Sequence, residues 1–173
     1  SLKVEKVGDL ETYNLVSGWN LIGWNFAKSD VLTAKDFLIR VARSGGYATH
    51  IATYRNGEWK ELSIRGDSEF GTNFNLLPTE GYFVKVITPA NVVVEGTKIS
   101  KNDQVSVING WNLMSFRPTK VTLASSMLDS VNISSMYTLD TATRYESGRY
   151  ENLVKDSTTT YGKDFNLEEN KGY

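Results

Sequence analysis

One apolar heptapeptide occurs twice in this chain of 173 residues, as GWNLIGW at residues 18–24 and as GWNLMSF at residues 110–116. Further positions match at a nearly constant offset of 91 or 92 residues. The matched pairs are Trp19 and Trp111, Tyr54 and Tyr145, Gly57 and Gly148, Trp59 and Tyr150, Leu62 and Leu153, Phe74 and Phe165, Gly81 and Gly172, and Tyr82 and Tyr173. Self-similarity at a fixed interval is the signature of a duplicated structural unit. The sequence therefore predicts two copies of one module, and duplication favours a structural role over a single catalytic centre.

Composition narrows the class of protein. Hydrophobic residues make up 40% of the chain, which is enough for a packed core and argues against disorder. Nineteen basic residues against 20 acidic ones give a net charge of -1, so we expect no nucleic-acid partner. The absence of cysteine excludes disulfides, thiolate zinc sites and cysteine nucleophiles. No apolar stretch reaches the length of about 18 residues that a membrane span needs, so we expect none in this sequence.

The local signals follow the same order in both copies. Short β-branched or aromatic runs at residues 13–16 and 105–108 end in the turn-forming pairs Ser17-Gly18 and Asn109-Gly110. The alternating heptapeptide follows each turn, so we expect a β-hairpin. Apolar residues at helical spacing then predict a helix over residues 33–43. The second copy keeps this apolar stripe in what we expect to be a shorter helix, at Leu123, Met127, Leu128 and Val131.

A second hairpin is predicted after each helix. In the first copy, residues 47–54 and 59–64 flank Asn56-Gly57, a strong signal for a two-residue turn, and the second copy turns at Ser147-Gly148. Strands at residues 81–86 and 92–95 follow. The predicted fold class is α+β and β-dominated, with two tandem homologous modules, each of short antiparallel strands with one packing helix. We place the modules at residues 1–90 and 91–173, although the strand at 92–95 suits either copy and has a counterpart at Lys3-Val4-Glu5.

The second copy reaches Gly172-Tyr173, the point at which the first copy enters the strand 83–86, so its last strand is absent from the sequence. An uncovered ladder edge and part of a core are features that proteins normally protect. Three alternatives fit the vacant position. The chain was cut or its tail is disordered, residues 2–7 pair there, or a neighbouring chain donates a strand.

The succession of features resembles that of modules repeated in bacterial and archaeal secreted and cell-surface proteins. Those modules carry a Gly-Trp-Asn-Leu-Ile signature, a short helix, an aromatic strand pair and a Gly-Tyr-Phe/Trp-Val strand, as at residues 18–22, 33–41, 54–59 and 81–84 here. The resemblance implies a non-catalytic module of an S-layer-like or adhesin-like protein, at an extracellular or cell-surface location. The second copy departs from the pattern at Phe116 and Tyr150, where the first has tryptophan.

Residue chemistry points away from catalysis. The single histidine, His50, lies in an alternating stretch and has no counterpart in the second copy, so we expect a solvent-facing strand residue. Glu58 and Glu61 adjoin an Asn-Gly turn, where solubility explains them. Neither residues 67–69 nor Asn102-Asp103 show the ligand spacing of a calcium loop. Glycine-rich phosphate loops are absent. We therefore predict no enzyme, no cofactor and no metal.

The aromatic residues offer two interpretations. We assign Trp19 and Trp111 to the core, because small modules need large side chains inside, and add Tyr82 and Tyr173 as core signature residues. The aromatic residues of a second set alternate with polar residues or flank turns. Their side chains either pack in a core or between the modules, or they stack on a ligand. The members of this second set are Trp24, Tyr54, Trp59, Tyr145 and Tyr150.

Three functions are compatible with these features. The first is a non-catalytic spacer or protein-interaction unit of a surface, adhesin-like or envelope protein, whose partner is a protein or a neighbouring module. The second is a carbohydrate-binding module appended to a secreted glycoside hydrolase, with polysaccharide as ligand. The third is a viral structural protein.

Overall fold

A computed structural model describes residues 8–101, 106–134, 138–156 and 159–173, without the side chains of residues 132–134. The described chain is β-dominated and its strand pairs are antiparallel, which confirms this part of the predicted fold class. The elements are β1 Asp9–Leu15, β2 Gly18–Trp24, β3 Phe26–Ser29, α1 Ala34–Arg43, β4 Tyr47–Arg55, β5 Glu58–Arg65, β6 Ser68–Gly71, β7 Glu80–Thr88, β8 Ala90–Lys98, β9 Thr122–Leu123, α2 Ala124–Ser134, β10 Thr141–Glu146, β11 Arg149–Asp156, β12 Thr159–Gly162 and β13 Asn166–Leu167. The predictions for residues 2–7, Asn102-Asp103 and residue 105 lie outside the described residues.

The first half contains two sheets, of strand order β2-β7-β4-β5-β6 and β1-β8-β3. The predicted hairpin between residues 13–16 and the heptapeptide is wrong, because β1 pairs with β8 whereas β2 pairs with β7. The turn itself is correct: the Asn20 side chain accepts from the Val16 amide at 2.9 Å and donates to the Val16 carbonyl at 2.8 Å. The β1–β2 and β7–β8 connections both lead from one sheet to the other. The paired strands β1 and β8 therefore lie in one sheet, and the paired strands β2 and β7 lie in the other.

Helix α1 confirms the first predicted helix and covers the first core. Thr33 is its N-cap and forms a capping box with Asp36, whose carboxylate accepts from the Thr33 amide at 3.0 Å. Phe37, Leu38 and Val41 form its apolar stripe and are all buried. The helix is therefore fixed both by its cap and by burial of one face.

Strand β8 belongs to the first half. It pairs with β1 and β3, and its residues Val92 and Val94 are fully buried in the first core. The strand that suits either copy by sequence thus packs in the first core, while the module boundary between residues 90 and 91 stays a prediction. Alternation of apolar residues identified the strand, but the choice of pairing partner depended on contacts that alternation does not encode.

The second half contains two smaller sheets and one helix. Strands β10, β11 and β12 form one sheet, β9 and β13 form another, and α2 packs on them. The β10–β11 turn at Ser147-Gly148 has positive φ values of 52° and 79°, as Asn56-Gly57 has 53° and 83°. Helix α2 has 11 residues against 10 in α1, so it is not shorter as predicted. Among the described residues, six form the buried second core and 20 form the first.

The two halves meet in a closed ring of four short segments. Within the halves, β2 pairs with β7, and the second heptapeptide pairs with the last residues of the chain. The bridges that complete the ring are Ile22 with Lys171, Glu80 with Met114, and Ser115 with Gly172. Each segment therefore has a strand neighbour on both sides at the level of the ring.

The hydrogen bonds between the halves come in matched pairs. The Gly23 amide donates to the Asn170 carbonyl at 3.0 Å, and the Ser115 amide donates to the Thr79 carbonyl at 2.8 Å. The Gly81 amide donates to Leu113 at 3.2 Å, and the Gly172 amide donates to Leu21 at 3.3 Å. The partners in each pair of bonds differ by 91 or 92 positions. The contact has the self-complementary pattern of a two-fold interface, within one chain.

Small residues allow this close approach. A Cβ atom on Gly23 would lie 2.3 Å from the Lys171 carbonyl oxygen and 2.5 Å from the Ser115 Cβ. A Cβ on Gly172 would lie 2.8 Å from the Ile22 carbonyl oxygen. Ser115 is fully buried, and its hydroxyl donates to the Trp24 carbonyl at 3.1 Å. The interface therefore depends on backbone contact that larger side chains would prevent.

An ion cluster lies beside the ring. Lys98, with a side chain only 10% exposed, contacts Glu11 at 2.6 Å and Glu169 at 3.1 Å. Arg117 approaches Glu169 at 3.5 Å. Burial by itself would raise the pKa of Glu169, but the hydrogen bond from Lys98 and the surrounding cations outweigh it and lower that pKa. The charged carboxylate of the second half is thus stabilised by a lysine of the first.

We predict that Gly23→Ala lowers the free energy of unfolding by about 2 kcal/mol, because its methyl group meets main-chain atoms that cannot move independently. Gly81→Ala is the matched control: its Cβ would lie 3.1 Å from Leu113 Cγ and 3.2 Å from the Met114 carbonyl oxygen, a less severe approach than at Gly23, so we expect a smaller loss. Urea unfolding followed by tryptophan fluorescence measures both. Equal losses for the two variants would contradict the close backbone approach at Gly23.

Candidate functional site

Aromatic side chains form a connected row on the outer side of the five-stranded sheet. Trp19 on β2 lies 6.4 Å from Phe83 on β7, and Phe83 lies 6.2 Å from Trp59 on β5, between ring centroids. Tyr54 on β4 lies 5.4 Å from Trp59, its cross-strand partner. These residues share one side because alternate side chains of a strand point to the same face.

The row continues across the boundary between the halves. Phe83 lies 6.0 Å from Tyr145 on β10, which lies 4.8 Å from Tyr150 on β11. Trp59 is 57% exposed and Tyr150 is 62% exposed. We call Trp19, Tyr54, Trp59, Phe83, Tyr145 and Tyr150 the aromatic face. It is an apolar surface that runs over both halves of the protein.

Polar groups at the edge of the aromatic face are paired. Lys85 lies over the Trp19 ring at 5.4 Å, and the His50 ring lies 5.8 Å from the same tryptophan. His50 Nε2 lies 3.5 Å from Glu61, and Glu58 contacts a lysine at 3.1 Å. His50 is thus half-buried on the outer face rather than freely solvated. Among the described residues, no group of three or more His, Asp or Glu side chains is suited to hold a metal ion.

A groove of about 1170 Å³ opens next to the aromatic face. One wall is formed by residues 107–114 and the other by residues 138–143, which include the start of β10. Tyr54, Trp59 and Tyr150 of the aromatic face border it, and Trp111 lies in its wall. Phe116, Met127, Leu139 and Tyr173 supply apolar surface inside the groove.

The groove corresponds to a filled position in the first half. There, β7 lies between β2 and β4. Residues 110–116 and β10, which lie 91 or 92 positions after these two strands in sequence, flank the groove. The residues inside the groove are only half-buried, whereas the residues 90 to 92 positions earlier are buried. These pairs are Phe116 and Trp24, Met127 and Phe37, Leu139 and Ala48, and Tyr173 and Tyr82.

Tyr173 lies at the end of the groove. It exchanges two backbone hydrogen bonds with Met114, of 2.9 and 2.8 Å, as expected for paired residues of an antiparallel ladder. Its hydroxyl accepts from the Glu168 amide at 2.7 Å, as the Tyr82 hydroxyl accepts from the Leu77 amide. Burial raises the pKa of Tyr173 to about 12. The second heptapeptide is therefore paired with residues 172–173 through Ser115 and Gly172 and through Met114 and Tyr173.

The exposed fractions of the tryptophan side chains differ from those expected for the two aromatic sets. Trp24, expected among the ligand-stacking candidates, is 1% exposed and stacks on Tyr13 at 5.9 Å, so it is a core residue. Trp111, assigned to the core, is 68% exposed, and Trp19 is 37% exposed. In β2 the last four residues, Leu21 to Trp24, are buried, whereas the tryptophan near its start is exposed.

The remaining candidates are divided between the two cores and the aromatic face. Tyr82 is fully buried in the first core, and Tyr173 packs against the second. Tyr54 and Tyr145 are half-buried, with Trp59 and Tyr150 exposed beside them. Sequence reasoning missed Phe83, which links the two halves of the aromatic face. Its position next to the buried Tyr82, on the opposite side of the same strand, was the available signal.

Comparisons with protein-family models, with curated proteins and with solved structures give no match for this chain. No helix within the described ranges is long and apolar enough to cross a membrane. Function is therefore inferred from the aromatic face, the groove and the ring.

The exposures of the tryptophans predict opposite mutational effects. We expect Trp24→Ala to lower the free energy of unfolding by about 3–5 kcal/mol, because it leaves a cavity in the first core. Trp111→Ala should change it by less than about 0.5 kcal/mol, as exposed substitutions usually do. Thermal and urea unfolding of the two variants test this directly. A large loss for Trp111→Ala would mean that its ring is covered in solution.

Proposed function

We propose that this chain is a non-catalytic tandem module of an extracellular or cell-surface protein, which acts as a spacer and protein-interaction unit. The observation that carries the proposal is the closed ring of four segments between the halves. Each backbone hydrogen bond across it contributes about 0.5–1.5 kcal/mol net, and the Lys98–Glu169 ion pair adds to them. Such a joint holds the two halves as one rigid body, which suits a spacer.

Repeated local interactions support a duplication of one module. Asn112 bonds the Ile108 backbone at 2.9 Å through both its groups, as Asn20 does with Val16. Phe165 stacks on Tyr173 at 5.8 Å, and Phe74 stacks on Tyr82 at 6.2 Å. Such matches at a fixed offset are difficult to explain without a common template. Duplicated, S-layer-like or adhesin-like modules are the class that the sequence resembles.

Surface location is tested on cells that make the parent protein. We expect a protease added to intact cells to remove the part of the protein recognised by an antibody against residues 138–173. An internal protein of the same cells serves as the control and should survive. Protection of the module until the cells are lysed would contradict an extracellular location.

Carbohydrate binding is the second candidate function, and the exposure of Trp59 and Tyr150 favours it. Both rings lie on the aromatic face, whose side chains Tyr54 and Tyr145 continue the apolar surface between them. Flat, exposed aromatic rings provide the kind of surface on which the C–H faces of sugar rings pack. In this function the chain would be the binding part of a secreted glycoside hydrolase.

A glycan array separates the two functions. If the aromatic face binds polysaccharide, Trp59→Ala and Tyr150→Ala should each weaken binding at least tenfold. Tyr161→Ala is the matched control, since Tyr161 on β12 is also 57% exposed but lies outside the aromatic face. An array without signal, or binding that survives both substitutions, would exclude this second function.

A further inference from the structure

We propose that the ion cluster beside the ring is an acid-sensitive switch. It holds the two halves together at neutral pH and loosens the ring when its carboxylates take up protons. The ring is the joint on which the proposed spacer function rests, so the inference adds a condition under which that joint weakens. The members of the ion cluster are Glu11, Lys98, Lys101, Arg117 and Glu169.

Glu169 connects the two halves through both its main chain and its side chain. Its carbonyl oxygen accepts from the side-chain amide of Asn25, which is buried. Its carboxylate contacts Lys98, at the end of β8, at 3.1 Å. The carbonyl of the next residue, Asn170, accepts the hydrogen bond from the Gly23 amide that forms part of the ring. The side chain of Glu169 is therefore anchored to the first half one residue away from the ring.

The cations of the cluster depend on two carboxylates. Lys98 contacts Glu11 on β1 at 2.6 Å, in addition to Glu169. Glu169 is also approached by Arg117 at 3.5 Å and by Lys101 at 3.6 Å. Within the described ranges, every ion pair of these three cations involves Glu11 or Glu169. Protonation of both carboxylates would therefore leave three positive charges without their partners.

Other charged residues on the neighbouring segments do not replace these carboxylates. The Asp9 carboxylate accepts from the main-chain amide of Lys98 at 3.1 Å, but Asp9 itself is exposed. Lys171 contacts Glu146 at 3.7 Å and points to the second half. The charged residues near the cluster that form no ion pair with it, as far as the chain is described, are Asp9 on β1, Lys28 on β3, and Glu168 and Lys171 beside Glu169.

Burial makes the loss of the carboxylates costly. The Lys98 side chain is 10% exposed, and that of Arg117 is 18% exposed. In the part of the chain that the structure describes, Arg117 Nε is buried and has no hydrogen-bond partner. Removing the anion from a buried ion pair is strongly destabilising, because water does not replace the missing charge. Lys98 belongs to the first half and Arg117 to the second, so their exposure to water requires the two segments to separate.

The direction of the pH dependence follows from the pKa of Glu169. Burial by itself would raise this pKa, but the hydrogen bond from Lys98 and the nearby cations lower it. The ion pair therefore stabilises the fold fully above the ordinary pKa range of a glutamate, and this stabilisation is lost as the pH falls through the lowered pKa. Burial would lower the pKa of Lys98, but its bonds to Glu11 and Glu169 raise it, so the lysine stays charged throughout. The switch is closed at neutral pH and opens in acid.

Hydrogen exchange of the full chain between about pH 7 and about pH 3.5 tests the proposal. The amides that donate across the ring are those of Gly23, Ser115 and Gly172. Their protection, corrected for the intrinsic pH dependence of exchange, is compared with that of the β4–β7 ladder. We expect the ring amides to lose about tenfold more protection in acid than the ladder, because a hydrogen bond to a charged group contributes roughly this factor.

Two glutamate variants form a matched pair. Glu169→Gln should lower the protection of the ring amides about tenfold already at neutral pH, with little further change in acid. Glu151→Gln is the control, because hydrogen bonds from Lys163 and Arg144 also lower the pKa of Glu151, but both partners lie in the second half. It should leave the protection of the ring unchanged. Lys98→Met provides a second variant should Glu169→Gln not fold, and its ring should respond less to acid than that of the unchanged chain.

Three results would overturn the proposal. The first is equal loss of protection in the ring and in the β4–β7 ladder, which would mean that acid unfolds the chain as a whole. The second is ring protection that stays constant in acid. The third is an undiminished acid response in Glu169→Gln and Lys98→Met. A ring that stays closed at every pH leaves the spacer function intact, whereas ring amides that are unprotected at neutral pH would contradict that function itself.

Discussion

The close approach of main chain to main chain at Gly23, Gly81, Ser115 and Gly172 is the constraint on which the rest of the structure depends. It fixes the positions of β2 and β7, and with them the five-stranded sheet that carries most of the aromatic face. It also brings Phe83 of the first half against Tyr145 of the second, so that the face is continuous. Without this contact the two halves would present separate, smaller surfaces.

The ring also explains why the second half holds its shape with a smaller core. Its heptapeptide has only a short ladder with the end of the chain, yet Ser115 is fully buried and bonded to the Trp24 carbonyl. The first half thus supplies contacts to the heptapeptide of the second half. The cost is an open groove whose apolar residues, such as Met127 and Leu139, are covered only in part.

Sequence patterns predicted the local structure better than its assembly. The helix at residues 34–43 and the turn at Asn56-Gly57 follow from a capping residue and from positive φ, both of which act over a few positions. The pairing of β1 with β8 depends on contacts some 80 residues apart, which alternation does not encode. The burial of the tryptophans also depends on distant contacts. Alternation predicts that Trp19 and Trp24 lie on opposite faces of the strand, but it does not show that Trp24 is the buried one, which packs on Tyr13.

A two-fold contact uses up its own binding surface. Once the heptapeptide segments of the two halves have engaged each other, neither has an equivalent edge left for a third segment at the ring. Pulling one half away from the other would therefore break the backbone hydrogen bonds on both sides of the ring together, so the two halves would separate in one step.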